Sequence, residues 1–287
     1  MSDYVIVTDS SCDLPKEKAE QMNIAVVDLD VTVDGEPSCP NSEVNIKEFY
    51  KKLRDGKMAK TSAVNIELIR DCFKKILDEG KDILYLGFSS GLSTTFNTGR
   101  IVAEELSDEY PDRKVYCVDT LAASLGQGLL VYLTVCEKEK GKSIEEVRDY
   151  AEETKLHLCH WFTVDDLHFL KRGGRISGTV ALVGSVLGIK PILHTSDEGL
   201  LVNVSKARGR KASIEALVKK LQETGINPSD QVIFISHGDC EEDAIFLKNL
   251  IEEKYHPKAI MYSYVGPVIG AHSGPGTLAL FYLGTQR

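Results

Sequence analysis

The sequence predicts an α/β protein of two domains, with a mostly parallel sheet in the first domain and a mixed sheet in the second. Short runs rich in Val, Ile and Leu alternate with amphipathic stretches through the first half, which is typical of βαβ units. Later in the chain, two strand-like runs meet at Asp197-Glu198-Gly199, a turn that favours an antiparallel hairpin. The length of 287 residues fits two domains better than one.

Strands and helices follow one another regularly in the first half. The run IELIRDCFKKILDEG (66–80) has the apolar spacing of a helix, and a second helix is expected after Ser93. The predicted strands are YVIVT (4–8), IAVVDLDV (24–31), ILYLGF (83–88) and VYCVD (115–119). Helices over 122–138 and 144–155 complete a domain predicted to span residues 1–157, with helices on both faces of its sheet.

The remaining residues, 158–287, are predicted to form a second α/β domain. A strand in CHWFTV is followed by a short helix from Asp165 and by TVALVGSVLG (179–188), a helix of small apolar residues that is expected to be buried or to line an apolar space. The hairpin lies in KPILHTSDEGLLVNVSK (190–206). The other predicted elements are helices over 210–224 and 240–255 and strands over 231–237, 259–265 and 278–283.

Composition and charge exclude several classes of protein. The chain is 43% hydrophobic and 27% charged, as in soluble globular proteins, and it has no apolar run of the roughly 20 residues that a bilayer span needs. No secretory signal is visible, so a cytoplasmic location is expected. The net charge of -9 argues against nonspecific nucleic-acid binding. Seven cysteines without CxxC spacing indicate reduced thiols.

Hydroxyl-bearing loops follow several predicted strands, where ligands bind in open α/β sheets. KTSAVN (60–65) places Thr61 and Ser62 ahead of a helix, where they fit either an anion site or a simple cap. GFSSGLSTTFNTG (87–99) offers more hydroxyl groups than one cap requires. These hydroxyl groups belong to Ser89, Ser90, Ser93, Thr94 and Thr95. The second loop is therefore the better candidate for binding a polar ligand.

Two further loops combine glycine with chemically useful side chains. GAHSGPG (270–276) places a histidine and a serine among glycine and proline residues, which favour special backbone conformations. The segment therefore predicts either a tight connection or a loop that closely approaches a ligand. KRGGRIS (171–177) places Lys171, Arg172 and Arg175 around two glycines. This basic cluster fits phosphate, an acidic partner surface or a solvated turn.

Complete catalytic motifs are missing from the sequence. Gly91-Leu92-Ser93-Thr94-Thr95 lacks the second glycine of a GxSxG elbow, and neither GxGxxG nor GxxxxGK[ST] occurs. No HExxH motif or Cys/His cluster points to zinc. The residues alone therefore predict anion-binding loops without a full set of catalytic groups, and no metal or cofactor.

Taken in order, these stretches resemble the DegV family, whose members bind a fatty acid and include the fatty-acid-binding subunits of bacterial fatty acid kinase. The similar stretches are VTDSSCDLP, KTSAVN, GFSSGLSTTFN, VDTLAASLGQG, DLHFLKRGGRISG, GIKPIL, KARGRKA, ISHGDCE and GPVIGAHSGPGTLALFY. They span nearly the whole chain, and their order makes the resemblance specific. It implies two α/β domains with a long-chain fatty acid in the cleft between them.

The resemblance also implies roles for individual residues. Thr61 and Ser93 would hydrogen-bond the ligand's carboxylate, and His272 would complete the head-group site. Three neighbouring hydroxyl residues are included in that predicted site, namely Ser62, Thr94 and Ser273. The doubled threonine Thr94-Thr95 departs from the family pattern and leaves the local hydroxyl geometry open.

A basic residue would act in phosphoryl transfer or in docking of a kinase, with Arg172 as the first candidate and Arg175 and Arg208 as alternatives. Because the chain has no nucleotide loop, ATP is expected to come with a separate fatty acid kinase subunit. Two other functions stay open at this point. The chain could be a stand-alone hydrolase or acyltransferase that uses Ser93 with His272, or a lipid sensor without phosphoryl transfer.

Overall fold

The computed structural model describes residues 3–176 and 188–287. Its strands are β1 (Tyr4–Asp9), β2 (Ala25–Val27), β3 (Asp30–Val33), β4 (Cys39–Pro40), β5 (Ala59–Thr61), β6 (Asp82–Gly87), β7 (Val115–Asp119), β8 (Leu158–Thr163), β9 (Ile189–Thr195), β10 (Leu201–Arg208), β11 (Val232–His237), β12 (Ala259–Tyr264) and β13 (Leu278–Leu283). Its helices are α1 (Lys16–Gln21), α2 (Ile46–Arg54), α3 (Ile66–Asp78), α4 (Thr95–Glu109), α5 (Leu125–Glu139), α6 (Ile144–Thr154), α7 (Leu167–Arg172), α8 (Arg210–Thr224), α9 (Glu241–Tyr255) and α10 (Pro267–Ser273).

A parallel sheet of four strands, in the order β2-β1-β6-β7, forms the centre of the first half. Successive residues of a strand face opposite sides of a sheet. Ile83 and Tyr85 of β6 accordingly pack in one core with α3 and α4, whereas Leu84 and Leu86 pack in another with α5 and α6. Every residue of β6 is buried. The prediction of a parallel sheet covered on both faces is confirmed.

A six-stranded mixed sheet, in the order β10-β9-β8-β13-β11-β12, dominates the second half. All of its neighbouring pairs are antiparallel except β11 with β12. The predicted hairpin is present, since β9 pairs with β10 across the turn at residues 196–200. The mixed sheet predicted for this half is therefore confirmed.

A small antiparallel sheet, in the order β4-β3-β5, was not foreseen, and the single strand predicted over 24–31 was wrong. That run divides into β2, which extends the parallel sheet, and β3, which belongs to the small sheet. Side chains hold the chain at the break: the Leu29 amide donates to Ser10 Oγ at 2.9 Å, and Asp28 accepts a hydrogen bond from Ser42 Oγ at 2.6 Å. The small sheet matters because Thr61 ends its strand β5.

The segment GAHSGPG is only partly the turn that the sequence predicted. Residues up to Ser273 belong to α10, which begins with Pro267 in its first turn, a favoured position for proline. Only the end is a tight turn, with positive φ at Gly274 and Gly276. Gly270 lies inside this helix, where glycine is needed because a Cβ would be 2.6 Å from Tyr50 Oη. His272 is consequently presented by the last turn of a short helix.

The domain division predicted at residue 157 stays a prediction, and one hydrophobic core contains residues from both sides of it. Leu125 and Leu129 of α5 share a core with Phe162 and Phe281 of the mixed sheet.

In the described ranges, no helix has both the length and the apolar character that a membrane crossing requires. The small-residue helix predicted over 179–188 lies, apart from Gly188, outside the described residues.

Candidate functional site

A cavity of about 510 Å³ lies where loops of the two large sheets meet, and its polar residues come from many separate parts of the chain. All six residues predicted to bind the ligand line it: Thr61, Ser62, Ser93, Thr94, His272 and Ser273. Much of the remaining wall is apolar. Its apolar residues include Phe88, Leu92, Phe162, Leu170, Leu201 and Phe281. The cavity therefore combines hydroxyl groups and an imidazole with a hydrocarbon-like wall.

Thr61 and His272 are joined by a short hydrogen bond, although 211 residues separate them in the chain. The distance between Thr61 Oγ1 and His272 Nε2 is 2.7 Å. Burial and the positive charge of Arg175 lower the pKa of His272 to about 4, so the imidazole is neutral at neutral pH. Its Nδ1 has no hydrogen-bond partner in the described part of the chain, and it abuts Gly173 so closely that a Cβ there would overlap with it.

Thr61 and Ser62 precede α3, but neither residue is its N-cap. Asn65 has that role, since its side chain accepts a hydrogen bond from the Glu67 amide at 2.9 Å at the start of α3. The hydroxyl of Thr61 is thus not needed to satisfy the backbone of α3. This geometry removes the capping explanation for Thr61, which lines the cavity and whose hydroxyl bonds to His272.

Ser93 both lines the cavity and stabilises the first turn of α4. Its Oγ accepts from the Thr95 amide at 3.2 Å and lies 2.9 Å from Thr95 Oγ1. Thr95 Oγ1 in turn accepts from the Val64 amide at 3.3 Å. These bonds tie the loop that carries Thr61 to the loop that carries Ser93, so the two predicted head-group hydroxyls are held near each other.

The structure separates the three arginines that the sequence singled out. Arg175 lines the large cavity and is half-buried, with its Nε donating to the Leu92 carbonyl at 3.2 Å; burial lowers the pKa of its guanidinium. Arg172, at the end of α7, stacks over the Phe169 ring with its Cζ 4.5 Å from the centroid. Arg208 is exposed at the end of β10 and lines neither described cavity.

Sequence reasoning missed a buried polar cluster around Asp13. Ser124 Oγ lines the cavity and donates to Asp13 Oδ2 at 2.5 Å, and it lies 3.1 Å from Ser236 Oγ, which also lines the cavity. Burial raises the pKa of Asp13 to about 7, although hydrogen bonds from Ser124 and the Gly266 amide oppose the shift. Nothing in the run TDSSCDLP distinguishes this aspartate from Asp9, so only the folded chain reveals it.

Replacing Asp13 with asparagine is expected to change how stability depends on pH. The folded-state pKa of about 7 exceeds the ordinary value of 3.8, so between these values the folded chain keeps a proton that the unfolded chain releases. Wild-type stability therefore loses this contribution as the pH rises through that window. Asp13→Asn has no such loss, and its free energy of unfolding should rise relative to wild type by about 2 to 3 kcal/mol from pH 5 to pH 8.

Urea denaturation of both proteins at the two pH values measures this difference. Asp3→Asn is the matched control, because Asp3 is exposed. An unchanged difference between Asp13→Asn and wild type at pH 5 and pH 8 would contradict the assignment of a raised pKa to Asp13.

Comparison with known proteins adds independent findings. A family model described as uncharacterised proteins of the DegV family matches residues 3–285. A DegV domain-containing protein of Clostridium perfringens is 49% identical over 289 residues, covering 100% of this chain and 99% of that protein. The solved structure of a DegV lipid binding protein from Thermotoga maritima is 32% identical, with a TM-score of 0.87 and 99% of each chain covered. DegV from Bacillus subtilis, described as a fatty acid binding protein, is 30% identical with a TM-score of 0.85, covering 99% of this chain and 100% of that one.

Proposed function

The chain belongs to the DegV family, and we propose that it binds a long-chain fatty acid in the 510 Å³ cavity and presents the carboxylate to a separate ATP-dependent fatty acid kinase subunit. The observation that carries this proposal is the convergence of Thr61, Ser93 and His272 on one largely apolar cavity. The description of the Bacillus subtilis relative as a fatty acid binding protein supports the same ligand class.

The hydrocarbon chain of the ligand supplies most of the affinity. A fatty acid of about sixteen carbons buries some fourteen methylenes, worth on the order of 11 kcal/mol at about 0.8 kcal/mol each. Association costs roughly 4 to 15 kcal/mol, so tight binding needs a cavity that is already formed. The side chains around the carboxylate then fix its position.

The neutral state of His272 determines how Thr61 can act. Thr61 can donate its hydroxyl proton to a carboxylate only if its oxygen accepts from His272, so the imidazole proton must be on Nε2. The unpartnered Nδ1 agrees with this tautomer. His272 thus orients Thr61, and Ser93 provides a second hydroxyl donor. Two single donors leave a carboxylate lone pair free, which a bidentate arginine would occupy.

That free lone pair is the nucleophile of the proposed reaction. The carboxylate oxygen forms a bond to the γ-phosphorus of ATP, the bond from that phosphorus to the β,γ-bridging oxygen breaks, and ADP leaves with the electron pair. The product is an acyl phosphate. The sequence contains no nucleotide loop, so the kinase subunit brings the ATP, and Arg172, Arg175 and Arg208 are the proposed groups for phosphoryl transfer or docking.

The geometry does not favour a stand-alone Ser93/His272 hydrolase. His272 Nε2 bonds to Thr61, and Ser93 Oγ bonds to Thr95. In residues 3–176 and 188–287, no carboxylate is bonded to His272 Nδ1 to orient the ring. A proton relay from Ser93 through a fixed imidazole is therefore not assembled.

Extraction of the purified protein with organic solvent, followed by mass spectrometry, tests the binding. We expect about one long-chain fatty acid per chain. Incubation of the loaded protein with ATP and a fatty acid kinase subunit then tests presentation, with acyl phosphate trapped by hydroxylamine. A protein that never binds fatty acid contradicts the whole proposal, whereas a loaded protein that is never phosphorylated favours the lipid sensor.

A further inference from the structure

Thr95 lies directly behind one of the hydroxyl groups of the proposed carboxylate site. The two neighbouring threonines differ, because Thr94 is exposed and lines the 510 Å³ cavity, whereas Thr95 is fully buried and does not line it. Thr95 Oγ1 lies 2.9 Å from Ser93 Oγ and accepts a hydrogen bond from the Val64 amide at 3.3 Å. A threonine outside the cavity wall is therefore bonded to a hydroxyl group on that wall.

The burial of Thr95 fixes the direction of its bond to Ser93. A hydroxyl group has one proton to donate and two lone pairs that can accept. Within residues 3–176 and 188–287, Ser93 Oγ is the only hydrogen-bond acceptor that Thr95 Oγ1 contacts. If Ser93 donated instead, the Thr95 proton would be buried without an acceptor, which costs free energy. Thr95 is therefore the donor of this bond and Ser93 is the acceptor.

Ser93 consequently has no free lone pair and keeps one free proton. Its Oγ also accepts from the Thr95 amide at 3.2 Å, so both of its lone pairs are occupied. Ser93 can then bond to a ligand only as a donor. The direction is the same at Thr61, whose oxygen accepts from His272 Nε2 in the tautomer proposed above. Two hydroxyl protons, each directed by a separate partner, are thus available to one head group.

We propose that Thr95 is a positioning residue that holds Ser93 as a donor only, so that a head group with its own proton finds no acceptor at Ser93. This inference rests on the proposed function, which places the ligand's carboxylate at Thr61 and Ser93. An ionised carboxylate accepts both protons and has none of its own to place. A long-chain alcohol of the same length fits the apolar wall equally well, but Ser93 cannot accept its proton. Thr95 thereby favours ionised fatty acid over fatty alcohol.

Substitution of Thr95 changes this preference in a direction that damage to the fold does not produce. In Thr95→Val, Ser93 Oγ regains a free lone pair and can accept from an alcohol, so hexadecanol should bind about threefold more tightly than to wild type. Palmitate should bind about threefold less tightly, because Ser93 is no longer oriented as its donor. Thr95→Ser keeps the hydroxyl group and should restore the wild-type preference. Delipidated full-length protein is titrated with each ligand in competition with a fluorescent fatty acid.

Two further comparisons identify the cause of the change. In a Ser93→Ala background, Thr95→Val should alter the binding of either ligand by less than about twofold, because the group that Thr95 directs is gone. Thr134→Val is the matched control. Thr134 is also fully buried, its hydroxyl donates to the Leu130 carbonyl of its own helix at 2.7 Å, and it does not line the cavity. It should bind both ligands like wild type.

Three outcomes would overturn the role of Thr95. These are equal weakening of both ligands in Thr95→Val, an unchanged preference between them, and the same shift in the Ser93→Ala background. Wild-type protein that binds neither ligand would instead count against the proposed function.

Discussion

Replacing Thr61 with valine is expected to slow acyl phosphate formation about a hundredfold while the protein retains its fatty acid. Valine keeps the shape of threonine but removes the hydroxyl that bonds to His272 Nε2. The hydrocarbon contacts that dominate affinity are unchanged, whereas the carboxylate loses the donor that fixes its position. Kinase-dependent acyl phosphate, trapped as the hydroxamate, measures the rate, and mass spectrometry of the extracted lipid measures retention.

Thr98→Val is the control for this experiment. Thr98 lies on α4, outside the cavity lining, and its hydroxyl donates at 3.2 Å to the carbonyl of Thr94, the residue that precedes this helix. It should react at close to the wild-type rate. A Thr61→Val protein that is loaded with lipid and phosphorylated as fast as wild type would refute the role of Thr61 in positioning the carboxylate.

Replacing Gly126 with alanine is expected to destabilise the fold by about 3 kcal/mol or more. Gly126 lies in the first turn of α5, and a Cβ there would overlap with His160 Nε2 on β8. The imidazole cannot easily move, because its Nδ1 bonds to the Leu158 carbonyl at 3.0 Å and its ring stacks edge-on against Phe281. Urea denaturation measures the loss of stability.

A double-mutant cycle identifies the cause of that loss. In a His160→Ala background the added methyl group has space, so Gly126→Ala should cost much less there than in wild type. If the substitution costs the same in both backgrounds, then crowding against His160 is not the reason for glycine at this position.

Much of the fold follows from local patterns in the sequence. The buried strand β6 and the helix α3 were predictable because an apolar run and an amphipathic period each reflect packing that neighbouring residues decide. The run 24–31 was wrongly predicted as one strand because its continuous apolar pattern contains two strands, which belong to two different sheets. Which residues pair across sheets depends on distant segments, so local pattern could not reveal the break near Leu29.

The site was less predictable from the residues alone. Hydroxyl-rich loops pointed to Thr61 and Ser93, but only the resemblance to a family suggested that they act together with His272. The contact between Thr61 and His272 depends on the helix α10, whereas the glycine-rich sequence predicted a turn or loop there. Tyr50 Oη donates to the Val265 carbonyl at 2.7 Å and packs beside Gly270, and such contacts between remote residues leave no local signal.

The hydrogen bond between Thr61 and His272 also bears on how the protein is made. A ribosome completes the strand that carries Thr61 early, but the imidazole that orients its hydroxyl is added 211 residues later. Until then, the nascent chain has hydroxyl groups without their orienting partner. The apolar wall of the cavity is completed later still, because Phe281 of β13 lines it, so the polar and apolar parts of the site both depend on residues made long after Thr61.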